Sequence, residues 1–158
     1  MGAKGTTIAE EMHVVNILPP VDINGSAQVS DYFSIKGAAH ATIVLTLGVT
    51  GAASTVTVEE SDDNAGNATT AIAFSYYAET TDAGDTLAAR AAATTSGFAT
   101  STNNNVTYVI EIDASQLTDA YPYLVLKMTN PTVATLASAV AVLSGIRYAS
   151  QSTPTAIT

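Results

Sequence analysis

The feature that most constrains this chain is its alternation of apolar and polar residues. Between positions 41 and 49, Ala41, Ile43, Leu45, Leu47 and Val49 alternate with Thr42, Thr46 and Gly48, and Val44 alone places a large apolar group on the second face. A period of two sends one set of side chains to a core and the other to water, which is the pattern of a half-buried β-strand. Val106, Tyr108, Ile110 and Ile112 alternate against Thr107, Glu111 and Asp113 in the same way.

Further segments fit the same period. Thr55-Val56-Thr57-Val58-Glu59 sends Val56 and Val58 inward, and residues 50–53 before it have the length of a hairpin turn. Residues 71–78 read as one strand with Ile72, Phe74 and Tyr76 on a shared face, and residues 123–129 form another. Residues 137–148 are apolar on both faces, Val140, Val142 and Ile146 on one and Ala141 and Leu143 on the other, as expected of a central or interface strand.

Turn chemistry separates these segments. Asp62-Asp63-Asn64-Ala65-Gly66-Asn67, Asp82-Ala83-Gly84-Asp85 and Asn103-Asn104-Asn105 are all turn formers. Residues 87–93 are alanine-rich enough for a helical turn, while the threonines and asparagines that follow favour a long loop. Asp113 or Ser115 can cap a short helical turn over residues 115–118, which Pro122 stops. Seven or eight strands without a long helix predict an antiparallel β-sandwich, jelly-roll-like, with an immunoglobulin-type Greek key as the alternative.

Residues 1–30 read differently, as an extended N-terminal arm preceding a sandwich domain over 31–158. Pro19 and Pro20 fix φ and remove two backbone donors, so neither a helix nor a central strand continues through them. The apolar residues of the arm, Ile8, Val14, Val15, Ile17 and Leu18, suit a strand added to the sheet edge of this subunit or another, and are the candidate partner contacts. An arm of this kind is expected to be dispensable for folding. The tail, 150–158, reads as an exposed strand or loose end.

Charge and composition narrow the function. Five Lys+Arg against 14 Asp+Glu give a formal charge of -9, which opposes a phosphate-binding surface, so no nucleic-acid partner is expected. Cysteine is absent, which removes disulfides, thiolate metal sites and cysteine nucleophiles together. Lys4, Glu10, Glu11 and His13 interrupt the first thirty residues, and no apolar run reaches the length of a membrane span. The expectation is a soluble protein made without Sec export and with no membrane partner.

The residues that can carry chemistry are sparse. His13 and His40 stand in no catalytic motif, and no nucleophile elbow, phosphate loop or dinucleotide fingerprint is present. Glu111 and Asp113 share a strand face and form the one carboxylate pair with glycosidase-like spacing, yet a solvated strand face has the same pattern. Glu59 and Glu60 point to opposite faces of an extended strand. Residues 62–67 offer oxygen ligands without the distal glutamate of a calcium loop, and Glu11 with His13 is a minimal metal pair. Tyr76-Tyr77 and Tyr121 with Tyr123 are the places for an aromatic sugar platform. No catalytic, metal or cofactor residues are assigned.

Several strand-forming stretches carry a resemblance. Ser30-Asp31-Tyr32-Phe33-Ser34-Ile35-Lys36, His40-Ala41-Thr42-Ile43, Thr55-Val56-Thr57-Val58-Glu59-Glu60 and Ala71-Ile72-Ala73-Phe74-Ser75-Tyr76-Tyr77 belong to it. Tyr108-Val109-Ile110-Glu111-Ile112-Asp113, Ser144-Gly145-Ile146-Arg147-Tyr148 and Thr153-Pro154-Thr155-Ala156-Ile157-Thr158 continue it. With these the chain resembles the capsid decoration, or cement, proteins of tailed bacteriophages over nearly everything after Val21. The resemblance implies a virion structural protein on the capsid exterior, commonly a trimer, that clamps neighbouring subunits of the major capsid protein. It transfers no individual functional residue, and a receptor- or glycan-binding sandwich of a phage tail or fibre is the alternative.

Overall fold

The computed structural model describes Gly5 and residues 7–82, 84–146 and 155–157. Across them the alternation builds two antiparallel sheets packed face to face, an all-β sandwich. The longer strands are β1 (His13–Asp22), β4 (His40–Thr50), β5 (Thr55–Ser61), β7 (Phe74–Glu79), β10 (Val106–Asp113), β11 (Tyr123–Met128) and β12 (Thr135–Ser144). Short strands β2 (Gln28–Val29), β3 (Phe33–Ser34), β6 (Thr69–Ala71), β8 (Ala91–Ala93) and β9 (Phe98–Ala99) bring the number to twelve among the described residues. The strand count exceeds the seven or eight expected because these short pieces are too brief to show a period.

The larger sheet runs β1-β12-β4-β10-β7-β8, and the smaller runs β2-β11-β5-β6, with β3 also on β11 and β9 also on β5. Ala41, Ile43, Leu45 and Leu47 of β4 and Val106, Tyr108, Ile110 and Ile112 of β10 face Val56, Val58, Leu124, Leu126 and Met128 of the smaller sheet, all of them buried. Each such aliphatic side chain contributes about 1.5–3 kcal/mol of burial free energy. At one open side of the core Phe98 stacks on Tyr76, ring centroids 4.1 Å apart and planes 10° apart, and meets Phe74 edge-on.

Three local expectations change. Residues 50–53 are not a hairpin turn: β4 and β5 belong to different sheets, and Thr50 and Gly51 donate instead to Asn104 Oδ1 and to the Ala134 carbonyl. The chain crosses over because the apolar faces of both strands must look into one core from opposite sides. Residues 71–78 are two strands, β6 in the smaller sheet and β7 in the larger, and the switch at residues 72–73 keeps both Ile72 and Phe74 buried. Residues 91–93 form β8 on the edge of β7 and not a helical turn, since pairing with Phe74, Ser75 and Tyr76 outweighs alanine's propensity. A 3-10 turn does follow β10, at Ala114–Gln116, where Asp113 N–H donates to Gln116 Oε1 at 2.8 Å.

The N-terminal segment takes one of the two courses expected of it, adding a strand to a sheet edge of its own subunit. After a helical turn, Ile8–Glu11, β1 pairs with β12 of the same chain and forms an edge of the larger sheet. Register shifts between Asn16 and Leu18 and between Leu18 and Val21 fit Pro19 and Pro20 into this edge, where a missing N–H is tolerated. The shift also lets consecutive residues Ile17 and Leu18 both turn inward, buried with Val15. Residues 13–22 are therefore an edge strand of the larger sheet. Most of the tail lies outside the described residues, as do Arg147 and Tyr148 of the last predicted strand. Ala156 within the tail is buried, and its carbonyl accepts the Ser34 N–H at 2.9 Å.

Candidate functional site

Ala41, Ile43, Leu45 and Leu47 of β4 face the core, whereas Val49, expected to join them, is 56% exposed and Thr50 is buried instead; His40, Thr42, Val44 and Thr46 stand on the outer face of the larger sheet, and β10 adds its own outward set beside them. The register places His40 opposite Asp113 and Thr42 opposite Glu111. His40 Nε2 lies 2.6 Å from Glu111 Oε2, and His40 Nδ1 lies 2.8 Å from Asp113 Oδ1. The Thr42 hydroxyl donates to the same Glu111 oxygen at 2.7 Å. His40 and Glu111 are each 29% exposed, and Asp113 is 65% exposed.

Partial burial of His40 opposes its charge, but the hydrogen bonds to Glu111 and Asp113 and the negative charge of both outweigh that, so its pKa is raised above the ordinary 6.5. An imidazolium here uses both N–H groups as donors and keeps no lone pair for a general base. The His40 ring stands between the Glu111 and Asp113 carboxylates and bonds to both. The arrangement is an ionic clamp tying β4 to β10. The three groups stand in line and do not converge, and among the described residues no cluster of three or more His, Asp or Glu is arranged to hold a metal ion.

The remaining candidates are tied into local structure. Glu59 points outward from the smaller sheet and pairs with Lys127 Nζ at 2.5 Å. Glu60 points inward, is buried, and accepts the Thr118 N–H at 2.7 Å and the Thr118 hydroxyl at 2.6 Å. In the 62–67 turn Asp63 Oδ1 accepts the N–H groups of Ala65 and Asn67, Asp63 Oδ2 accepts the Asn67 side-chain amide, and Asp62 Oδ1 accepts Ala68 N–H. The Asn67 contacts lead in holding the Asp63 pKa below its ordinary value, and those oxygens serve the turn. His13 begins β1, while Glu11 ends the preceding helical turn, its Oε1 3.3 Å from the Thr7 N–H.

Of the five proposed arm contacts, Val15, Ile17 and Leu18 lie in the core, whereas Ile8 is 51% and Val14 50% exposed. The first three cannot meet a partner while β1 stays paired. Among the tyrosines, Tyr76 packs on the core, Tyr77 emerges on the outer face of the larger sheet, and Tyr121 and Tyr123 are half-buried.

The same outer face carries a row that alternation alone does not reveal. Val140 of β12 pairs with Val44 of β4, Val44 with Val109 of β10, and Val109 with Tyr77 of β7. All four are half-buried, and Val14 pairs with Val142 beside them. Val44 and the two-faced apolar pattern of residues 137–148 were the available signals; only the register aligns them.

No family model, curated protein or solved structure matches this chain. The functional reading therefore rests on its own residues.

Proposed function

We propose that this chain is a virion structural protein, a capsid decoration (cement) protein that binds the outer surface of a tailed-phage head and stabilises contacts between subunits of the major capsid protein. The carrying observation is β12, which lies between β1 and β4 inside the larger sheet yet keeps apolar side chains on both faces. Ala139, Ala141 and Leu143 fill the core, so Val140 and Val142 are left over as surface that folding alone does not use.

The strand order supports a jelly-roll reading of the same sandwich. Pairing is nested: β1 with β12, β2 with β11, β4 with β10, and β5 with β6. A long antiparallel hairpin rolled on itself has this order, and viral capsid domains are among the users of the architecture. The architecture by itself does not assign a function.

Working as a closed oligomer, a trimer on this reading, multiplies modest interfaces into a firm grip through raised effective concentration. The site of action is the capsid exterior. The test is co-sedimentation of the purified chain with expanded, undecorated heads of the phage that encodes it, alongside light scattering of the free protein. Saturable binding by a small closed oligomer is expected; absence of binding to intact expanded heads refutes the proposal.

A further inference from the structure

We propose that Asn24 is a self-modification site: its side-chain amide condenses with the Gly25 backbone nitrogen to a succinimide, which water opens to aspartate or isoaspartate, and Asn130 sets the rate. The inference stands apart from the decoration reading, because it concerns covalent chemistry that the chain carries out on itself.

Asparagine is among the thermolabile residues, and Asn24 is the one asparagine or aspartate of the chain that a glycine follows. The imide ring closes when the next backbone nitrogen reaches the side-chain carbonyl carbon, an approach that a side chain on the next residue obstructs. At Gly25, φ +92, an added Cβ would find nothing within 4 Å, so the approach is open and the backbone is free to turn. Both residues are exposed in the turn between β1 and β2. Among the described residues Asn24 bonds through its backbone N–H, to Asp22 Oδ1 at 3.0 Å, and its side-chain amide has no partner. The asparagines of the 103–105 turn are held: Asn103 Nδ2 donates to the Thr80 carbonyl, Asn104 Oδ1 accepts the Thr50 N–H, and Asn105 Nδ2 donates to Asp82 Oδ1.

The step balances without oxidant or cofactor. The Gly25 nitrogen gives its proton to water or hydroxide and bonds to Asn24 Cγ, while the Cγ–Nδ2 bond breaks and ammonia leaves. Water then cleaves one imide bond or the other. Opening at Cγ leaves aspartate in the original backbone; opening at the main-chain carbonyl carbon leaves isoaspartate, with the chain routed through the side chain.

A long-range contact restrains the reaction. The Gly25 N–H donates to Asn130 Oδ1 at 3.2 Å across 105 residues of chain, and a nitrogen whose proton is held in a hydrogen bond is the poorer nucleophile. That oxygen also accepts the Thr132 N–H at 2.7 Å, so the Gly25 bond is the longer of the pair and lies at the long end of the normal range. Conversion also disturbs the fold. Ile23 beside the site is fully buried, its N–H donates to the Thr135 carbonyl at 2.9 Å, and Asp22 Oδ1 accepts the Thr135 N–H at 3.1 Å. Isoaspartate lengthens the main chain between β1 and β2, and aspartate adds a charge close to Asp22, so the product holds the start of β12 less firmly.

The experiment incubates the full wild-type chain, Asn24→Gln, Asn130→Ala and Asn130→Asp at neutral and at mildly alkaline pH, beside a free peptide of residues 21–28 as the unrestrained reference. Peptide mapping by mass spectrometry locates the product, isoaspartate-specific methylation quantifies it, and thermal unfolding reports the fold of each protein. The expected result is conversion at Asn24 in wild type, faster at the higher pH and slower than in the peptide, and none at that position in Asn24→Gln, whose longer side chain disfavours the ring. Asn130→Ala is expected to convert about fivefold faster than wild type, the factor that one ordinary hydrogen bond supplies. Asn130→Asp keeps an acceptor oxygen and is expected to convert near the wild-type rate.

Wild-type protein that leaves Asn24 intact while the peptide converts, or that converts first at another asparagine, overturns the site. A folded Asn130→Ala protein with the wild-type rate overturns the role of Asn130, as does Asn130→Asp converting as fast as Asn130→Ala. If Asn130→Ala unfolds, wild type against peptide decides: equal rates overturn that role, and a slower wild type supports it.

Discussion

Glu111 and His40 meet at 2.6 Å although 71 residues of chain separate them. Their contact exists because β4 and β10 are neighbours in the larger sheet and because the register sets Thr42 opposite Glu111, two residues along from the His40 and Asp113 pair. It is a link in the tertiary structure made by one histidine and two carboxylates, and it gives the fold a pH-dependent component.

The sign of that component follows from the raised pKa of His40. A group that binds its proton more tightly in the folded state stabilises the fold fully below the unfolded value, near about 6.5, and loses that contribution as pH rises through the folded value. Wild type should therefore exceed His40→Gln in stability by more at about pH 6 than at about pH 9. Urea midpoints at the two pH values measure it, and an NMR titration of His40 centred at or below the free-imidazole value contradicts it.

Removal of β1 should cripple folding, not merely docking. Ile17 is fully buried and Val15 and Leu18 nearly so, so Ile17→Ala should cost about 2–5 kcal/mol. Deleting residues 1–22 should also strip β12 of its partner strand. Chemical denaturation checks both, and a truncated protein with the wild-type midpoint restores the picture of a dispensable arm.

Glu60 should behave as a structural anchor for the segment before β11. Its carboxylate takes both donors of Thr118 in a buried position, and Glu60→Ala leaves those donors without that partner at a cost of about 1–3 kcal/mol. Hydrogen exchange at the Thr118 amide should accelerate in the variant. Exchange at the wild-type rate would mean that the segment is held by something else.

Two glycines with positive φ should respond differently to alanine. At Gly97, φ +74, an added Cβ would stand 1.9 Å from the Val56 carbonyl oxygen, while at Gly25, φ +92, nothing lies within 4 Å. Gly25→Ala should cost only the left-handed backbone strain, about 1–2 kcal/mol. Gly97→Ala must in addition push β9 away from β5 and should lower the melting temperature further; equal losses would refute the steric account.

Much of the fold was legible because alternation is local. Which side chains of residues 41–47 and 106–113 share a face follows from the geometry of one extended chain, and the inward positions of Val56, Val58 and Ile110 needed no knowledge of neighbours; the alternation failed at Val49, which is exposed. The turn at 62–67 was legible for the same reason, its carboxylates bonding to amides only a few residues away. Residues 91–93 were not, since three alanines take whatever conformation their surroundings reward.

What the sequence determined by itself is therefore a set of strands, each with a core side and a water side, and an acidic surface poor in cations. The tertiary structure alone decided that β1 pairs within its own chain, that residues 72–73 switch sheets, that His40 lies between Glu111 and Asp113, and that four outward apolar side chains align in a row. The physical reason is that backbone hydrogen bonds are nearly the same in any register and between any two strands. Neighbours and registers are chosen only when all the apolar faces close on one core at once.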